Sequence, residues 1–191
     1  MHSSIFQTFE AICSKQGITG SVLEIGAVPK DDSLLCMYSL RNASERVGIS
    51  LDGPYSGEDM YIVKGNANSM DCFEDNRFDT VLCNAMLEHD KYFWKTIDEI
   101  KRVTRPGGFI VIGVPGYVKL PGYVSYTDEG SRVKIDRVAN ATISFEIHAA
   151  PGDYYRFSPQ AFVDVLFEGM NDVHVQALLL PPRLIGYGTN P

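Results

Sequence analysis

The sequence has no long apolar run, no closely spaced cysteines, no excess of positive charge, and only one glycine in the turn where a nucleotide site would want several. Each shortage excludes something. Without an apolar run of about 20 residues, no α-helical membrane span is expected. The N-terminal "MHSSIFQTFEAICSKQG" lacks the basic start and apolar core of a signal peptide, so a cytoplasmic location is expected. Acidic side chains outnumber basic ones 24 to 17, a net charge of -7, which disfavours a nucleic-acid partner. Cys13, Cys36, Cys72 and Cys83 are widely spaced, with no C-x-x-C pair. That argues against structural zinc and predicts reduced, mostly buried thiols.

What is present is an ordinary globular composition, 45% hydrophobic and 21% charged, without repeats or low-complexity tracts. Apolar runs alternate with helical patterns. A helix is expected over 4–16 and a strand over 21–27. A second helix should span 33–42, capped by Asp31, Asp32 or Ser33. Strands are expected at 46–51, 60–67 and 77–86. An amphipathic helix over 92–104 places Phe93, Ile97, Ile100 and Val103 on one face. "RPGG" ends it, and "FIVIGVP", 109–115, reads as a fifth strand. Residues 116–152 read as a hairpin or cap inserted in a single domain spanning 1–191. A helix over 158–169 and two last strands, pairing antiparallel, complete the chain.

Strands separated by helices predict an α/β fold, a doubly wound, mostly parallel sheet. Such sheets bind ligands beyond the carboxyl ends of their strands. Here those ends are Gly26-Ala27, Ser50-Leu51, Asn66-Ala67-Asn68, Asn84-Ala85-Met86 and Pro115-Gly116. The first turn, "VLEIGAVPKDD", selects among ligands. A dinucleotide site uses three glycines and the next helix N-terminus to hold a pyrophosphate. Here only Gly26 is present, Pro29 removes a backbone donor, and Asp31 and Asp32 repel a phosphate. S-adenosylmethionine has no phosphate and carries a cationic sulfonium, so nearby acids suit it.

"VLEIGAVP", "VGISLD", "GNANSM", "RFDTVLCNAMLEH" and "EIKRVTRPGGFIVIGVPG" occur in that order. The series resembles the motifs of class I S-adenosylmethionine-dependent methyltransferases of the small type 11 kind, over roughly residues 20–116. The resemblance implies a Rossmann-like, seven-stranded sheet with its last strand antiparallel, and S-adenosylmethionine as cofactor. It implies Glu24, Gly26 and Ala27 under the methionine part, and Ser50 or Asp52 on the ribose with Leu51 against the adenine. Asn66, Ala67 and Asn68 would hold the adenine edge, and Asn84, Ala85 and Met86 would line the cleft.

"MLEHD" resembles a metal-binding E-x-x-E-H pattern in the wider family. Ala85 takes the place of the first acid, leaving Glu88 and His89, so no metal is expected. His148 is the candidate base. His89, Tyr155 and Arg156 are the candidate substrate residues. The expected activity is methyl transfer to a small-molecule acceptor, with an oxygen nucleophile. Two rivals stand beside it: a non-catalytic cofactor-binding domain serving an assembly, and a nicotinamide dehydrogenase on a related sheet.

Overall fold

A computed structural model describes all residues except 30–32, 58–59, 121–122, 129–132, 140–141 and 149–151. Helix α1, Ser3–Gln16, opens the chain. Its buried Ile5, Phe9 and Cys13 recur every four residues along one stripe. It ends at Gly17, which is left-handed and donates its N–H to Cys13 O.

The principal strands are β1 (Ser21–Ile25), β2 (Glu45–Ser50), β3 (Tyr55–Ser56), β4 (Tyr61–Lys64) and β5 (Phe78–Asn84). Helix α2, Phe93–Val103, follows, and then β6, Thr104–Pro115. Short β7 (Val118–Lys119) pairs with β10 (Thr142–Ile143), and β8 (Tyr123–Asp128) with β9 (Val133–Ala139), both antiparallel. After a single helical turn α3, Pro159–Ala161, come β11 (Asn171–Leu178) and β12 (Arg183–Thr189). The main sheet has the order β11-β12-β6-β5-β1-β2-β4-β3. From β6 through β4 the neighbours are parallel, while β3, β12 and β11 join antiparallel. The expected α/β, mostly parallel, Rossmann-like sheet is present, with an eighth strand, β3, added at one edge.

Successive strand residues point to opposite faces, so one sheet feeds two cores. Leu23, Val81, Cys83, Ile110, Ile112 and Leu184 pack with Ile97 and Ile100 of α2. Val22, Leu82, Val111 and Ile185 pack with Phe9 of α1.

Local pattern and tertiary structure disagree in a few places. Residues 34–40 form two 3-10 turns, Leu34–Cys36 and Tyr38–Leu40, broken at the extended Met37, instead of one helix. Each turn is capped from outside. The Glu24 carboxylate accepts from Leu34 N (3.1 Å) and Leu35 N (3.3 Å). Glu10 of α1 accepts from Ser39 N (2.9 Å) and Ser39 Oγ (3.0 Å). Ser33 is the N-cap, and Asp31 and Asp32 lie outside the described residues.

At the C-terminal side, α3 passes into a π-helical turn, Phe162–Leu166, closed by Phe167 N on Phe162 O. The wide turn buries Phe162 and Phe167 as a stacked pair, with centroids 5.3 Å apart. Extended backbone resumes at Thr104, before "RPGG", with Gly107 left-handed inside β6. The third predicted strand stops at Lys64, so Asn66–Asn68 form a turn. Of the four thiols, only Cys13 and Cys83 are buried; Cys36 and Cys72 are exposed. No helix among the described residues is long and apolar enough to cross a membrane.

Candidate functional site

The carboxyl ends of β1, β2, β4 and β5 converge on a cleft of about 440 Å³. It is lined by Gly26, Ser50, Leu51, Asp52, Asn66, Ala67, Asn68, Ala85, Met86 and His89, all singled out in the sequence. Gly26 stands at its centre with φ +75°. A Cβ there would lie 3.0 Å from Met86 Cγ and 3.2 Å from Met86 Cβ. The bare backbone is therefore what keeps the cleft floor open. Ala85, at the end of β5, is also left-handed at φ +54°, and its N–H donates to Gly113 O. Held strain at a strand end is typical of a ligand-contacting position.

Leu51 is 66% exposed and presents an apolar face to the cleft. Asp52 is exposed, and its N–H donates to Ser50 Oγ at 3.4 Å. Asn66 Oδ1 accepts from Asn68 N (2.9 Å), which makes the tight turn. The Asn68 amide is occupied structurally: Nδ2 donates to Asp90 Oδ2 (2.7 Å) and Thr96 Oγ1 (2.8 Å), tying this turn to α2. Asp90, Lys91 and Tyr92 complete the wall. Two acids, Asp52 and Asp90, and a single lysine, Lys91, therefore line the cleft. This balance favours a cationic ligand over a pyrophosphate.

Three of the residues lie outside the lining of this cleft. Glu24 lines an adjoining cavity of about 330 Å³, but its carboxylate caps the Leu34 turn. Asn84 lines the same cavity. Ala27 is buried in the other core, 2.4 Å from where a Gly48 Cβ would stand. The two cavities meet at Gly26 and Ala85.

His148 lies beside His89, the rings edge-on with centroids 4.9 Å apart. The His89 Nδ1 is held by Gly152 O. His148 N donates to Asp153 Oδ2 (2.7 Å), and its Nδ1 lies 3.4 Å from the same oxygen. Asp153 is paired with Arg156 through both guanidinium Nη atoms, and that partner holds its carboxyl well below the usual carboxylate range. Arg156 also donates to Phe145 O and Glu146 O. Tyr155 donates to Lys91 O at 3.0 Å.

Beneath the imidazoles sits Glu88, fully buried, with no hydrogen-bond partner for either carboxylate oxygen among the described residues. Burial pushes its carboxyl up. Glu88, His89 and His148 each offer one ligand atom within 4.8 Å of the others. Counting metal ligands in "MLEHD" missed His148, which only the fold brings in. Arg183 Nη1 stands 3.7 Å from Glu88 Oε1, however. A divalent cation there would be attracted by the Glu88 carboxylate and repelled by the Arg183 guanidinium. Arg183 and Phe145 carried no motif in the sequence and reach the site only through the fold.

Fold and cleft together define a class I methyltransferase architecture. Residues 37–112 match the family model of the methyltransferase domain, which agrees with the type 11 resemblance. The chain is similar to the 1,6-didemethyltoxoflavin-N1-methyltransferase of Burkholderia thailandensis, solved with 1,6-didemethyltoxoflavin and S-adenosylhomocysteine. That match has 18% identity and TM-score 0.65, covering 97% of this chain and 77% of that one. It is similar to the N-methyltransferase NodS of Bradyrhizobium japonicum bound to S-adenosylhomocysteine, at 12% identity and TM-score 0.60, covering 98% and 86%. A third similar structure is an S-adenosylmethionine-dependent methyltransferase of Archaeoglobus fulgidus, at 13% identity and TM-score 0.63, covering 96% and 94%. No curated protein sequence is significantly similar.

Proposed function

We propose that this chain is a methyltransferase that uses S-adenosylmethionine to methylate a hydroxyl group of a small-molecule acceptor. The observation that carries this reading is the cleft at the strand ends: open-floored at Gly26 and weakly acidic, with two carboxylates and one lysine in its lining. Its lining fits the cofactor. Gly26 admits a close backbone approach, Ser50 and Asp52 offer oxygens to ribose hydroxyls, Leu51 offers an apolar face to adenine, and Asp52 and Asp90 favour its positive charge. When bound, the cofactor supplies a sulfonium-activated methyl group.

The protein's part is alignment, exclusion of water and one proton. A hydroxyl acceptor must lose a proton as it is methylated, and a base at the cleft's edge answers that need. His148, oriented by Asp153, accepts this proton, with His89 beside it. An acceptor amine already free of its proton would need no such base. Net acidity, -7, supports a small acceptor over nucleic acid.

Isothermal titration tests the reading. S-adenosylhomocysteine should bind the wild type and NAD should not. Binding of NAD with no binding of S-adenosylhomocysteine would overturn it. A His148→Ala variant should retain cofactor affinity and lose turnover of hydroxyl acceptors near neutral pH.

A further inference from the structure

The second cavity holds a polar mismatch that the fold leaves unresolved. Arg183 opens β12 and is only 5% exposed. Its Nε and Nη1 are buried with no hydrogen-bond partner among the described residues. The Glu88 carboxylate is 3.7 Å away, beyond hydrogen-bond reach, and its own oxygens are unpartnered. The Phe145 ring covers one side of the guanidinium, with 5.3 Å between guanidinium carbon and ring centroid. Asn84 Oδ1, on the same cavity wall, also lacks a partner. A buried guanidinium with idle donors costs free energy unless a ligand completes it. Its planar fork matches a carboxylate.

We propose that Arg183 is the anchor for a ligand carboxylate in the cavity of about 330 Å³ beside Gly26. The inference rests on the methyl-transfer reading, because Gly26 and Ala85 join this cavity to the cofactor cleft. A monoanion fits the local charge better than a phosphate. Glu88 lies beside Arg183 and Glu24 on the same wall, so a dianion would meet two carboxylates for one guanidinium. The carboxylate has two possible sources: the amino-acid end of the cofactor, or an acid group on the acceptor.

Titration separates them. On the wild type, S-adenosylhomocysteine is compared with its decarboxylated analogue, and each is repeated on Arg183→Met. If the cofactor supplies the carboxylate, the analogue binds at least tenfold more weakly, and Arg183→Met abolishes that difference. If the acceptor supplies it, both nucleosides bind alike, and benzoate binds the S-adenosylhomocysteine-loaded wild type but not loaded Arg183→Met. Equal nucleoside affinities, together with benzoate that is unbound or bound equally by both proteins, overturn the proposal.

5′-Methylthioadenosine, which lacks the amino-acid end, should bind both proteins equally and so reports folding. If Arg183→Met loses it, Arg183→Gln, which keeps a polar side chain without the charge, replaces it in the same comparisons. A wild type that binds neither nucleoside overturns the cofactor reading instead. Benzoate titration of unliganded wild type and Arg183→Met then decides Arg183 on its own.

Discussion

Gly26→Ala separates what a backbone conformation costs from what it does for a ligand. Gly26 has φ +75° and Gly17 has φ +68°, so alanine meets the same left-handed penalty at both. That penalty is about 1–2 kcal/mol. About 0.4–1 kcal/mol returns because alanine restricts the unfolded chain. The net loss is about 1 kcal/mol, or about 2–4 °C in Tm for a chain of this size. At Gly17 an added Cβ meets nothing within 4 Å, so Gly17→Ala should show that loss and no other effect. At Gly26 the Cβ lies 3.0 Å from Met86 Cγ, and the methionine must yield by a few tenths of an ångström. The atoms met are Met86 Cγ and Cβ, at the root of the side chain, so stability should fall further than at Gly17. The new methyl and the displaced Met86 both stand in the cleft floor, however. Gly26→Ala should therefore weaken S-adenosylhomocysteine at least tenfold, while Gly17→Ala leaves it unchanged. Thermal melts and isothermal titration of the pair measure both effects. Equal affinities in the two variants would refute the assignment of Gly26 to the cofactor floor.

Asn68→Ala removes the donor to Asp90 and Thr96 and should cost about 1–3 kcal/mol, seen as a lower denaturation midpoint, with weaker nucleoside binding because the Asp90–Tyr92 wall loosens. Gly113→Ala drives a Cβ to 2.6 Å from Asn84 Oδ1 and 2.8 Å from the Phe9 ring, so overpacking should cost about 1–3 kcal/mol in urea unfolding. Asp153 has its carboxyl pulled down by Arg156, so the pair stabilises the fold above the unfolded-state value, about 3.9, and loses that contribution as pH falls through the lower folded value. The Tm difference between wild type and Asp153→Asn should hold from pH 6 to 7 and shrink below about pH 4; a difference that grows on acidification would contradict the pairing.

The short apolar runs in "SVLEI", "FDTVLCN" and "FIVIGV" were enough to mark buried parallel strands, because a strand covered on both faces must be apolar at nearly every position. Helix α2 was equally legible from Ile97, Ile100 and Val103. The strand ends then named most of the cleft, since an apolar run that stops tells where the backbone leaves the sheet. Residues 33–42 misled, because the sequence does not reveal that Glu24 and Glu10 would reach across to cap two separate short turns. The π turn at 162–166 was hidden for a similar reason: its geometry serves the Phe162–Phe167 stack.

Local chemistry by itself determined the sheet, its order of elements, and the phosphate-poor turn at Gly26, because these follow from apolar periodicity and from what one glycine, one proline and two aspartates do to a backbone. Tertiary structure alone decided the company each charge keeps. It spent the Glu24 carboxylate on a cap and brought His148 over Glu88 and His89. It also set Arg183 against a cavity from the far end of the chain. Side-chain electrostatics depend on distances of a few ångströms between residues far apart in sequence, and only the folded sheet fixes those distances.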